Sequence, residues 1–335
     1  MHSESQIPFR QAPWNADRTD PLAAIEAAAQ AYSNWNRWGP DDIHGTANFI
    51  DEAVRVRAAA LVRRGVSFSL AQHFSGDGPQ PSRGTRMNPM HAMKAVETSP
   101  NGTRQGRPLP HGFGYADDII TMSLQCSTQW DGLGHIFDRG RAWNGRTAAD
   151  VVTVRGDRVT GIQTMATPLV TRGVLLDVGR HLGTDGELPD GFAITSEHLD
   201  QTAAAQSVSV GHGDILLVRT GQLARVRRDG WGTYAGGDAP GLSFTTLGWL
   251  HGHEIAAVAT DTWGVEVRPN EFDEAFQPLH QVAIPHIGLL LGEMWDLDAL
   301  AADCATDGVY EFLLAAGPLP VLGAVGAPVN PLGVK

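Results

Sequence analysis

The chain has 335 residues, 42% apolar and 19% charged, with 39 Gly, 20 Pro and 2 Cys, which excludes fibrous, repetitive and disordered classes. A chain this long buries roughly three quarters of its unfolded surface, so a core forms without covalent staples. With 25 Lys+Arg against 37 Asp+Glu the net charge is −12, which disfavours nucleic acid and anionic membranes as partners. Cys126 and Cys304 form no CxxC pair, the N-terminus shows no basic-then-apolar signal pattern, and the apolar run 284–291 is too short to span a bilayer. A cytoplasmic protein is expected.

Two helices are predicted first, Pro21–Ala31 behind Asp20 and Asp51–Arg64 ahead of Gly65, then a strand over Val66–Leu70. Ser75–Asp118 is crowded with Gly, Pro, Asn and Arg and reads as a long loop, of the kind that carries function or wraps a neighbouring subunit. Beyond it, strands are predicted at Ile119–Leu124, Val174–Val178, Ile215–Arg219, Ile255–Thr260 and Tyr310–Ala315. Helices fall at Ser196–Gln206, Gly221–Arg228, Ser243–His251 and Leu297–Asp307. That alternation predicts one layered α/β domain with a decorated N-terminal part. We divide the chain into N-terminal helices and a loop arm over 1–114 and a catalytic portion over 115–335.

GxSxG, Walker, HExxH and strand-associated GxGxxG motifs are absent. The informative stretch is Gln125–His135, QCSTQWDGLGH. Gln125, Ser127, Gln129, Asp131 and His135 share one parity, so an extended chain puts them on one face, with residues two apart about 6–7 Å from each other. Gly132 and Gly134 allow a bend near His135. A polar strand face is commonly just solvated, but Trp130, Leu133, Ile136, Phe137 and Trp143 provide enough apolar bulk to bury this one, and buried polar clusters need partners or a ligand.

The segment resembles the signature HxGTHxDxPxH of the cyclase superfamily, which includes bacterial-type kynurenine formamidases and isatin hydrolases. The resemblance extends through Thr171–Val178, Gly213–Gly221, Thr260–Glu266, Pro278–Leu300 and Gly317–Leu332 in order, covering about residues 115–335. It implies a mixed β-sheet core flanked by helices, of the swivelling β/β/α type. It also implies hydrolysis of an amide, formamide, cyclic amide or lactone by metal-activated water, as in an arylformamidase, and a homodimer or homotetramer. Thr128, Asp131 and His135 agree with the signature. Gln125 and Gln129 stand where it has histidines that ligate metal, Ser127 replaces its Gly, and Leu133 its Pro. His280 and Glu293 fall where the family's C-terminal block completes the site.

The metal set implied by the resemblance is therefore Asp131, His280, Glu293 and Gln129. Amide oxygen in place of imidazole makes zinc a poor occupant and favours Mn²⁺ or Mg²⁺, if any ion binds. His135 would be general base, Asp131 would share the catalytic site with it, and Gln125 and Gln129 would position water or the carbonyl. Trp130, Trp143, Phe137 and Trp263 would wall a pocket for a small aromatic or cyclic substrate. The same two carboxylates and two imidazoles, without metal, suit an acid/base cyclase, dehydratase or isomerase. A third reading is a family member that only binds.

Overall fold

The computed structural model describes residues 20–81, 84–95, 111, 115–272 and 274–335. Much of the segment predicted as a long arm, including 96–110, lies outside the described residues. Helix α1 (Pro21–Tyr32) starts where expected, with Asp20 accepting from the Ala23 N–H and proline in its first turn, and it buries Ala24, Ile25, Ala28 and Ala29. Helix α2 (Glu52–Ala59) is likewise capped by Asp51, which accepts from the Val54 N–H at 2.7 Å. It ends five residues before the predicted stop.

A nine-stranded mixed sheet organises the molecule. Its members are β1 (Ser67–Ser69), β4 (Gln129–Asp131), β5 (Val170–Asp177), β6 (Ile215–Arg219), β7 (Ala257–Thr260), β8 (Leu290–Glu293), β9 (Glu311–Ala315), β10 (Gly326–Pro328) and β11 (Leu332–Val334). Their spatial order is β1-β11-β9-β5-β6-β7-β8-β4-β10. Strands β5 to β8 are parallel, and the flanking strands run antiparallel to their neighbours. The central strands are buried throughout, as their near-continuous apolar runs require.

Helices α3 (Ser196–Ala205), α4 (Gln222–Asp229), α5 (Leu247–Gly252), α6 (Pro278–Val282) and α7 (Asp298–Asp307) complete the layers. Side-chain alternation sorts the core into two. Val174, Leu176, Leu216, Val218, Val258 and Leu291 pack with α1, α5 and α6 on one face. Leu175, Ile215, Leu217, Ala257, Ala259 and Leu290 pack with α2 and α7 on the other.

Two expectations need correction. Ser75–Asp118 is not wholly without regular structure: β2 (Met90–Ala95) pairs antiparallel with β3 (Asp117–Thr121) in a separate ribbon. The predicted strand Ile119–Leu124 therefore belongs to that ribbon and does not lead the motif into the main sheet. Ile119 and Ile120 are about half exposed. Their β-branched composition makes the backbone extended, but pairing is decided by what lies alongside.

Candidate active site

The site forms where β4 meets β8. These strands are antiparallel, with Gln129 directly opposite Glu293 and Asp131 opposite Leu291. Gln129, Asp131 and Glu293 thus project from one face, the face that Leu291 shares with α6. The Gln129 amide nitrogen donates to Glu293 Oε2 at 2.7 Å and to Asp131 Oδ1 at 3.2 Å. All three residues are at most 2% exposed. Burial, and the Asp131 carboxylate beside it, raise the Glu293 carboxyl above its usual range.

His280 enters from α6. Glu266, in the loop after β7, accepts from the backbone N–H groups of Leu279 and His280, both at 3.1 Å, and meets His280 Nδ1 at 2.5 Å. One carboxylate thereby caps the short helix and commits one ring nitrogen. The other, Nε2, is buried with no hydrogen-bond partner and lies 3.4 Å from Glu293 Oε1. Burial would lower the His280 pKa, but Glu266 and Glu293 outweigh it and bring the ring to about 10. Glu266 is a functional neighbour that residue type alone does not reveal; its place closing the TDTWGVE block is the signal the chain carries.

His135 follows β4 at the edge of the site, with Nε2 3.7 Å from Asp131 Oδ1 and its side chain 19% exposed. Gly132 and Gly134 do serve this loop, but through space rather than a left-handed backbone: a Cβ on Gly132 would come within 2.7 Å of the Val325 carbonyl, and one on Gly134 within 2.1 Å of Asp157. Arg86, from the loop after β1, donates to the Gln125 carbonyl at 3.1 Å and lies 3.7 Å from Glu293 Oε2. Its guanidinium stands 5.1 Å from the Trp263 ring centroid.

The other predicted site residues are placed differently. The single polar face expected over 125–135 is extended only at 129–131. The Gln125 amide points toward Gly326, where an added Cβ would lie 2.9 Å from its Nε2, and makes no hydrogen bond to Asp131 or Glu293. Ser127 is buried and its hydroxyl has no partner. Trp130 and Trp143 are not pocket walls but fully buried core residues of the opposite layer. The cause is the period of two: Trp130 sits between Gln129 and Asp131, so its indole must point through the sheet, where its N–H donates to the Ala316 carbonyl. Phe137 lies at the surface, 37% exposed. Trp263 is half-buried and packs with Leu223, Tyr234 and Met294.

Asp131, His280 and Glu293 each offer a ligand atom within 4.8 Å of the others, and all three are buried. Two features fit a divalent cation: the orphaned His280 Nε2, whose opposite nitrogen is fixed by a carboxylate, and the buried Gln129 Oε1, also without a partner. The donor set is oxygen-rich with one imidazole, which suits a hard ion better than zinc. A surface cavity of about 310 Å³ lined by Val54, Arg57, Arg172, His212 and Glu311 shares no residue with this site. No helix among the described residues is long and apolar enough to cross a membrane.

A mixed sheet with helices on both faces and a buried acid–imidazole cluster at a strand junction defines an α/β protein of enzyme-like architecture. The sequence profile of the Cyclase family matches residues 67–267. The crystal structure of a novel cyclase is 37% identical, superposes with a TM-score of 0.82, and is matched over 91% of this chain and 100% of its own. This chain belongs to the cyclase family. Isatin hydrolase A from Ralstonia solanacearum shares the fold at 16% identity, with a TM-score of 0.59 over 83% of this chain and 94% of its own. Isatin hydrolase A from Labrenzia aggregata, bound to benzyl benzoate, does so at 18% identity, with a TM-score of 0.55 over 84% and 96%. No curated protein matches significantly.

Proposed function

We propose that this protein is a hydrolase of a carbonyl C–N or C–O bond, in an amide, formamide, cyclic imide or lactone, with a divalent cation held by Asp131, His280, Glu293 and the Gln129 amide oxygen. The observation that carries this is the convergence of three buried ligand groups with an unpartnered His280 Nε2. The hydrolases among the fold neighbours support the reaction class. An ion bound there supplies Lewis acidity toward a carbonyl oxygen and acidifies water.

The chain's own groups supply the rest. His135, beside Asp131 and partly open to solvent, accepts the proton released as water adds to the carbonyl carbon, and the carboxylate steadies the resulting imidazolium. The same ring returns that proton to the departing nitrogen or oxygen as the old bond breaks. By holding His280 Nδ1, Glu266 would orient the ring so that Nε2 faces a bound cation, which would displace the proton that the two carboxylates otherwise keep on the ring. Gln129 is ambidextrous: its NH₂ clamps the two carboxylates here, and a half-turn of the amide presents its oxygen to a cation instead.

That clamp favours a second reading. Without a metal, Gln129 and the Glu266–His280 pair satisfy the acids internally, leaving His135 and Asp131 for proton transfers in a cyclisation, dehydration or isomerisation. One experiment separates the two. Protein purified without chelator is analysed for Mn, Mg and Zn, then assayed on aryl formamides, cyclic imides and lactones before and after chelation. A stoichiometric ion and chelator-sensitive bond cleavage are expected. No bound ion together with chelator-insensitive turnover would leave the metal-free reading.

A further inference from the structure

Beside the acid–imidazole cluster lies a group of donors that the reading above does not use. The guanidinium of Arg268 gives Nε to the Gly237 carbonyl at 3.2 Å and Nη2 to the Gly236 carbonyl at 2.8 Å, while Nη1 is buried with no partner. Among the described residues no carboxylate lies within ion-pair distance of Arg268, although the chain carries 37 Asp+Glu. The indole N–H of Trp263 is buried and also unpartnered. Arg86 and Arg268 both flank that indole, at 5.1 and 5.8 Å from its centroid, and Arg268 also stands 5.4 Å from the Phe276 ring.

Buried donors without acceptors are rare in folded proteins because their lost hydration is not replaced. Arg86 faces the Glu293 carboxylate at 3.7 Å, whereas no acid faces Arg268 among the described residues. The cluster also borders the proposed reaction centre. Arg86 reaches Glu293, and next to Trp263 stands Gly264, where an added Cβ would crowd Gln277 Nε2 at 3.2 Å and lie 3.7 Å from Glu293 Oε1.

We propose that Arg268, Trp263 and Arg86 bind a carboxylate of the substrate, carried on an aromatic or cyclic body that packs against Trp263 and Phe276. That the ligand is the substrate rests on the hydrolase reading; the carboxylate site itself does not. Guanidinium and indole N–H groups are matched to carboxylate oxygens, and anchoring the anion there presents the rest of the molecule to His135 and the buried acids.

The test is calorimetric binding of benzoate and of its neutral isostere benzamide to the full-length protein. Benzoate is expected to bind at least about tenfold tighter than benzamide. Trp263→Phe, which removes the indole N–H together with the five-membered ring, and Arg86→Gln should each bring the ratio of benzoate to benzamide affinity close to one, whatever either change does to benzamide alone. Arg268→Gln should do the same, and the other two variants keep the test valid if loss of its backbone contacts prevents folding. Equal binding of benzoate and benzamide, or an unaltered preference in both Trp263→Phe and Arg86→Gln, would overturn the proposal. Benzoate binding as expected without turnover of any amide or lactone defeats the hydrolase reading alone. Turnover with no preference for carboxylate-bearing substrates defeats the anion site alone.

Discussion

The amide nitrogen of Gln129 lies 2.7 Å from Glu293 Oε2 and 3.2 Å from Asp131 Oδ1, bridging two buried carboxylates across a strand pair. Gln129→Glu replaces this bridge by a third acid. The variant should be destabilised by about 3 kcal/mol without divalent ions and should recover most of that on addition of Mn²⁺, which binds only the folded cluster. Thermal melts with and without the ion check this; equal melting temperatures in both would mean that no cation is held there.

Gln129→His introduces an imidazole among Asp131, His280 and Glu293. Zinc affinity should rise by about tenfold or more, since nitrogen replaces a weakly ligating amide oxygen. Competition with a chromogenic chelator reads the change, and unaltered affinity would argue against Gln129 facing the ion.

His135→Ala should lower kcat by roughly 10² to 10⁴ while changing stability by no more than about 1 kcal/mol, because the side chain sits at the rim, 19% exposed, and approaches Asp131 only to 3.7 Å. Steady-state rates and a urea titration on the same preparation separate the two quantities. An unchanged rate would remove the proton carrier from both enzymatic readings.

Trp130→Ala is expected to cost about 3–5 kcal/mol, since the indole is fully buried and donates to the Ala316 carbonyl. A pocket wall would instead alter KM and leave stability nearly intact. Denaturant midpoints decide between these outcomes.

Asp138 gives a pH signature away from the site. Burial would raise its carboxyl, but hydrogen bonds from His286, Gln281 and Arg139 outweigh it and hold the pKa at about 2. Because the folded value lies below the unfolded one, its contribution is complete above about pH 4 and disappears as pH falls through about 2. Wild type should therefore exceed Asp138→Asn in stability most at neutral pH, with the gap closing toward pH 2. A gap independent of pH would contradict the assignment.

Much of the fold was legible in the chain. The capped helices α1 and α2 and the apolar run of β6 announce themselves because capping, helical spacing and continuous burial are local in origin. Asp131, His135, His280 and Glu293 were visible as residue types in ordered blocks. What sequence could not decide was which side of a strand meets which partner. The ribbon of β2 and β3, the inward turn of Trp130, the grip of Glu266 on His280, and the approach of Arg86 and Arg268 to one indole all join residues distant in the chain. Such contacts are fixed by strand pairing and by the layer each side chain enters, and a one-residue change of parity exchanges the reaction face for the core.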